Sequence, residues 1–174
     1  MPTLFQRILG DAFSRLPPRV RTLHEAQATR VYQGRADIER GRGWIARIFS
    51  VAISLPVAGT GVPLDVTIAI VPAGENWIRN FEGRLMSSRL RQSAEWLRER
   101  LGLATFDFSL SVDDGVLIWR VHSIRVLGIP LPAMWFDRVV AREFEQNGRY
   151  GFDVRAELPL IGFLVHYAGW LDVD

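Results

Sequence analysis

A chain of 174 residues fits one domain, and at this size about 70% of the unfolded surface is buried, so a continuous hydrophobic core forms without staples. Cysteine is absent and all 21 basic residues are arginine, which excludes disulfides, thiolate metal sites, a cysteine nucleophile, a Schiff-base lysine and a P-loop lysine. The net charge of +2 is small, the arginine excess is confined to the N-terminal part (nine Arg against four acids in residues 1–50), and no arginine-rich run appears, so nucleic acid is excluded as a partner.

The first predicted element is an amphipathic helix over residues 4–16, because Leu4, Phe5, Ile8, Leu9, Ala12, Phe13 and Leu16 recur at helical spacing before Pro17-Pro18. Arg7 and Asp11 interrupt the apolar residues before the core of a secretory signal can form, and the chain reads as cytoplasmic. With charges that are few and mixed in sign, the helix is expected to dock on protein and not on lipid. A short helical segment, "PPRVRTLHEA", follows and ends near His24, where an imidazole can cap the last carbonyls. "ATRVYQGRADIERG" reads as a first strand. "GRGWIARIFSVAISL" carries a broad apolar stripe and predicts a buried helix from Trp44 to Leu55, closed by Pro56. The charge-free run from Ile48 to Leu64 is no integral membrane segment, since Pro56, Gly59, Gly61 and Pro63 break it.

From Val62 the period changes to two. Strands are predicted over 62–72, 76–91, 104–113, 115–127, 134–147, 148–158 and 162–172, with a short helical stretch over 92–103 ending at Gly102. Segment 134–147, "AMWFDRVVAREFEQ", would also serve as a helix. Asp114-Gly115 and Asn147-Gly148 are favoured pairs for tight hairpin turns. The fold class is therefore α+β and mainly antiparallel β: a curved up-and-down meander of about seven or eight strands, half-barrel or barrel-like, wrapped on a buried helix. No linker or repeat divides the chain, so residues 1–174 read as one domain, helical and strand-bearing to 60 and antiparallel sheet beyond.

"LPPRVRTLH", "ERGRGW", "NWIRNFEGRLMSS", "LGIPLP" and "LPLIGFLVHYAGWL" occur in this order, and together they resemble the bacterial family called domain of unknown function 4166, over nearly the whole chain after about residue 15. The resemblance implies relatives that are free-standing or fused behind a saccharopine-dehydrogenase-like or short-chain reductase domain, and hence a reductase-type partner by analogy. This chain has no G-x-G-x-x-G after a strand.

Strand alternation puts Trp77, Arg79, Phe81 and Gly83 on one face. A buried guanidinium flanked by two rings needs an anion, either internal (Glu143, Asp137 or Asp107) or the head group of a ligand. His24, Glu143 and Tyr167 complete the candidate site with Trp77, Arg79 and Phe81. His24, His122 and His166 lack metal-ligand spacing and no G-x-S-x-G occurs, so neither a metal, a cofactor nor a serine nucleophile is implied. Three readings stay open: a domain that binds an apolar or amphipathic small molecule between sheet and helix; a small enzyme using Arg79, His24 and Glu143 on an anionic substrate; and a non-catalytic module that docks on a reductase.

Overall fold

The computed structural model describes residues 1–41, 56–159 and 162–174. The helix expected over 44–55 lies outside the described residues. Among these residues the order is α1 (Leu4–Leu9), a 3-10 segment (Gly10–Arg15), α2 (Pro18–Glu25), β1 (Arg30–Arg40), β2 (Gly59–Val71), β3 (Gly74–Phe81), β4 (Arg84–Ser93) and β5 (Trp96–Leu101). It continues with β6 (Ala104–Asp113), β7 (Val116–Val126), β8 (Ile129–Leu131), a 3-10 turn (Ala133–Phe136), β9 (Val139–Gln146), β10 (Arg149–Leu158) and β11 (Gly162–Asp172).

Every pairing is antiparallel, in the order β6-β5-β4-β3-β2-β1-β11-β10-β9-β7-β8, and β6 also pairs with β7. That last pairing closes the sheet. One edge of β7 serves two neighbours, β9 along Leu117–Arg120 and β8 along Ile124–Val126, so ten strands form the barrel and β8 is an appendage. Closure requires local bending, and register shifts interrupt the β1–β2, β6–β7 and β10–β11 ladders.

The mainly antiparallel reading holds, and among the described residues there are eleven strands where seven or eight were expected. Segment 76–91 is two strands, because Glu82 and Gly83 both take positive φ (49° and 90°) and turn the chain; Gly83 therefore leaves the face it was expected to share with Trp77. The stretch 92–103 is β5 and not a helix: Ala94 turns at φ 54°, and Leu97, Glu99 and Leu101 then alternate inward against β4 and β6. Segment 134–147 resolves into a 3-10 turn and β9.

The turns before β3, β5, β7 and β10 define one end of the barrel, and those before β4, β6 and β8 define the other. The N-terminal residues fill the first end. Thr3 caps α1 reciprocally with Gln6, and Leu4, Phe5, Leu9, Phe13 and Leu16 are buried in the barrel core. Proline at the start of α2 suits a helix start, and the Glu145 carboxylate on β9 accepts a hydrogen bond from the Arg19 amide at 2.9 Å. The first helix thus docks on protein, as its charge pattern predicts, although it ends at Leu9 and tightens to 3-10 geometry before the prolines.

Phe5 is fully buried, its ring 5.5 Å from Trp119 and 6.4 Å from Trp77. Phe5→Ala is expected to cost about 3–5 kcal/mol in chemical denaturation; a loss under about 1 kcal/mol would show that the N-terminal segment is not part of the cooperative core. Asp114-Gly115 and Asn147-Gly148 both occupy positive φ, at 45° and 73° and at 52° and 73°. Gly115→Val and Gly148→Val should each cost about 1–2 kcal/mol through backbone strain, and denaturation curves superimposable on the parent would contradict this.

Candidate functional site

Inside the barrel, at the level where the N-terminal plug ends, lies a layer of polar side chains. β3 supplies alternate inward positions in the order Glu75, Trp77, Arg79 and Phe81. Trp77 and Phe81 are each 4% exposed, and the Arg79 side chain is 13% exposed with its guanidinium 5.0 Å from the Trp77 ring centre. The expectation that these three share a buried face is met.

The anion beside Arg79 is not one of the three expected. Arg79 Nη2 stands 3.5 Å from Glu99 Oε1, and Nη1 donates to Ser88 Oγ at 3.1 Å. Glu99 arrives on β5, the segment that reads as a helix in the sequence. Its Oε1 is buried and accepts no hydrogen bond. Asp107 instead receives a two-pronged contact from Arg98 (2.6 and 2.9 Å) and a hydrogen bond from Ser123, which hold its carboxyl below the usual range, while Asp137 is exposed.

Glu143 and His24 meet directly. Nε2 of His24 lies 2.5 Å from Oε2 of Glu143; the His24 side chain is wholly buried and its Nδ1 has no partner. Its role is therefore not the capping of exposed carbonyls. The imidazole packs on Phe5 with ring centres 3.7 Å apart. Burial, then the charge of Glu143 and a hydrogen bond to it, push the Tyr150 phenol well above its ordinary value. Tyr167 is edge-on to Phe81 at 5.9 Å, and burial pushes its phenol up to about 12 against the opposing pull of Arg79. Both phenols are protonated donors near neutral pH.

Above this layer the lumen holds a cavity of about 270 Å³, just below the roughly 300–1,000 Å³ usual for small-molecule pockets. Trp77, Arg79, Phe81, Glu143 and Tyr167 all line it, as do Glu99 and Tyr150. Its wall toward the other end of the barrel is apolar, with Leu101, Val126, Phe136, Leu158 and Leu164 among its residues. Of the six expected residues, only His24 stands off this lining, behind Glu143. Glu99, Glu75 and Tyr150 escape the sequence reading, though Tyr150 and Glu99 show the alternation once their segments are strands.

Among the described residues no three His, Asp or Glu side chains gather as a metal site requires. His166 bonds Asp153 at 2.9 Å, and His122 stacks on Trp96.

The family model described as Domain of unknown function (DUF4166) matches residues 16–171, nearly the whole chain, and the chain belongs to that family. No curated protein and no solved structure matches it.

Glu75 is 4% exposed and accepts a hydrogen bond from Trp77 Nε1 at 2.8 Å; burial raises its pKa, with His24 pulling the other way. Because the folded-state value lies above the unfolded one, Glu75 favours the fold fully below the unfolded value, near 4.5, and this contribution is lost as pH rises through the folded value. Glu75→Gln keeps an acceptor for Trp77 and removes the buried charge. Denaturation at several pH values should show it at least as stable as the parent at neutral pH, with the advantage shrinking toward pH 4. A neutral-pH loss that disappears in acid would reverse the argument.

Proposed function

We propose that this member of the family binds an apolar or amphipathic small molecule in the barrel lumen, its polar end at Arg79 and its apolar body along the apolar wall of the cavity. The observation behind this reading is the state of Arg79 within an apolar cavity. A guanidinium has five N–H donors. Here one hydroxyl and one carboxylate at long range serve it, and the carboxylate oxygen facing it is itself unsatisfied. Buried polar groups are almost always paired, so unspent capacity at the floor of a cavity points to a guest. A polar end with an acceptor would take up Arg79, and a hydroxyl or acid proton there would satisfy Glu99 Oε1. Tyr167 and Tyr150 add donors on the neighbouring wall.

A second reading has its own observation. Glu143 lines the same cavity, with His24 and Tyr150 fixing its carboxylate, so a bound carbonyl compound would lie between a base and a cation. That arrangement supports the small-enzyme alternative, in which Glu143 moves a proton and Arg79 carries the developing negative charge.

The binding reading is tested with a dansyl-labelled medium-chain fatty acid followed by fluorescence. The parent should take up the probe at one site. Arg79→Met alone leaves Glu99 buried without its cation, so the informative variant is Arg79→Met with Glu99→Gln, expected to keep near-parent stability. It should bind the probe about tenfold more weakly or worse, since a hydrogen bond to a charged group contributes about 1.5–3 kcal/mol. No uptake by the parent, or equal uptake by the double variant, would defeat the proposal.

A further inference from the structure

The outer face of the barrel carries positive charge that the rest of the chain does not balance. On β4 and β5 the outward positions alternate with buried ones and hold Arg89, Arg91, Arg98 and Arg100. The ladder sets them in like pairs, Arg89 directly opposite Arg100 and Arg91 directly opposite Arg98. Such pairs start about 5 Å apart, and like charges so placed destabilise a sheet. Arg125 on β7 stands in the row of Arg89 and Arg100, with only Thr105 of β6 between. One carboxylate, Asp107, lies among these arginines, and Arg98, Arg125 and Ser123 already share it. The next nearest stand at strand ends, Glu82 beside Arg84 at one and Glu95, Asp113 and Asp114 at the other, or on β2, where Asp65 accepts from Gln33. All 19 acidic residues of the chain are among the described ones, and none forms an ion pair with Arg89, Arg91 or Arg100.

We infer that this face binds a soluble small molecule bearing a diphosphate, one phosphoryl group between Arg89 and Arg100 and the other reaching Arg91. Arg89 and Arg100 border one shallow depression, together with Asn76, Ile78 and Ser87. The Asn76 amide and the Ser87 hydroxyl make no side-chain hydrogen bond among the described residues, so two neutral donors stand beside two guanidinium forks. A guanidinium matches phosphate oxygens two at a time, and charge-assisted bonds of this kind are the strong ones. A phosphoryl group brings enough acceptor oxygens to use both forks, and its two charges turn the Arg89–Arg100 repulsion into attraction. Arg91 lies two residues along β4, about 7 Å away, where a long side chain meets a second phosphoryl group. Ile78, 40% exposed, gives the organic part of the molecule an apolar surface beside the anion. The unpaired charge extends over two rows of the sheet, which suits two phosphates and is too short to track a nucleic-acid backbone over several nucleotides. The β3 and β4 wall separates this depression from the lumen, where Trp77 and Ser88 point, so the inference does not rest on the lumen reading.

The full chain is titrated with inorganic pyrophosphate at low ionic strength in a calorimeter. The parent should bind it at one site, and more tightly than orthophosphate. Arg89→Gln with Arg100→Gln should weaken binding about tenfold or more, while its thermal midpoint stays at or above the parent value because a like-charge pair is relieved. Arg15→Gln with Arg30→Gln removes the same charge from exposed positions elsewhere and should bind as the parent does. So should Arg79→Met with Glu99→Gln, which alters only the lumen. A parent that does not take up pyrophosphate overturns the inference, whether or not it captures a DNA oligonucleotide or vesicles containing phosphatidic acid. Parent-like binding by the Arg89 and Arg100 variant overturns it too, as does an equal loss in the charge control, which would make the attraction non-specific. An equal loss in the lumen variant would put the anion at Arg79 and overturn it as well.

Discussion

A ten-stranded barrel is wider than its own inward side chains can fill, and the rest of this structure is organised by that shortfall. About eight strands leave an interior that side chains just occupy, and each added strand widens it. Pairing β6 with β7 along the whole of β6 joins the first and tenth strands of the sheet and leaves a lumen that something must enter. Here the N-terminal residues enter one end, placing Phe5 between Trp77 and Trp119 and seating Leu4, Leu9 and Phe13 in the core. These residues reach only part of the way, and a cavity of about 270 Å³ lies beyond them.

The polar layer sits where the plug stops, and its composition follows from the low dielectric there. Isolated charges would be prohibitive, so each buried carboxylate is set beside a polar partner: Glu143 beside the His24 imidazole, and Glu99 beside the Arg79 guanidinium. The first pair also ties α2 to the β9 wall, across 119 positions of sequence. Yet satisfaction is incomplete, since His24 Nδ1, Glu99 Oε1 and Trp119 Nε1 are buried without partners. Such groups are few in folded proteins, and two of the three, on Glu99 and Trp119, belong to residues that line the cavity.

Much of the frame was legible because it follows local rules. The switch to period two, the Asp114-Gly115 and Asn147-Gly148 turns, and the alternation from Tyr150 to Leu158 each state their geometry in a few residues. Two errors have one cause. In "NWIRNFEGRLMSSRL" the Glu82-Gly83 turn is followed by residues that look like more strand, and in "QSAEWLRERLGL" good helix formers occupy what pairing makes a strand. Propensity yields when a segment has β4 on one side and β6 on the other. Misplacing β5 hid Glu99, and so the partner of Arg79 could not be identified although the need for one was plain. His24 and Glu143 had no local signal at all, because their contact exists only once the barrel is closed and plugged.

The same sheet offers a measure of what a purely structural arginine looks like. Arg98 approaches Asp107 with two nitrogens, at 2.6 and 2.9 Å, and Ser123 takes a further site on that carboxylate; donor and acceptors are matched and aimed outward, away from the lumen. The Arg79 side chain is better shielded from water than that of Arg98, and its carboxylate partner is buried too, but only a single contact at 3.5 Å joins them. In a buried setting a tighter pair would be worth more than at the surface, so the looser fit at the more valuable place is not explained by stability. It is explained if the space between guanidinium, Glu99 and the two phenols is kept for an atom that does not belong to the chain. An arginine, which holds its charge at any physiological pH, stacks on Trp77 and keeps its fork in one plane, can hold that space open where a flexible lysine would fold onto Glu99.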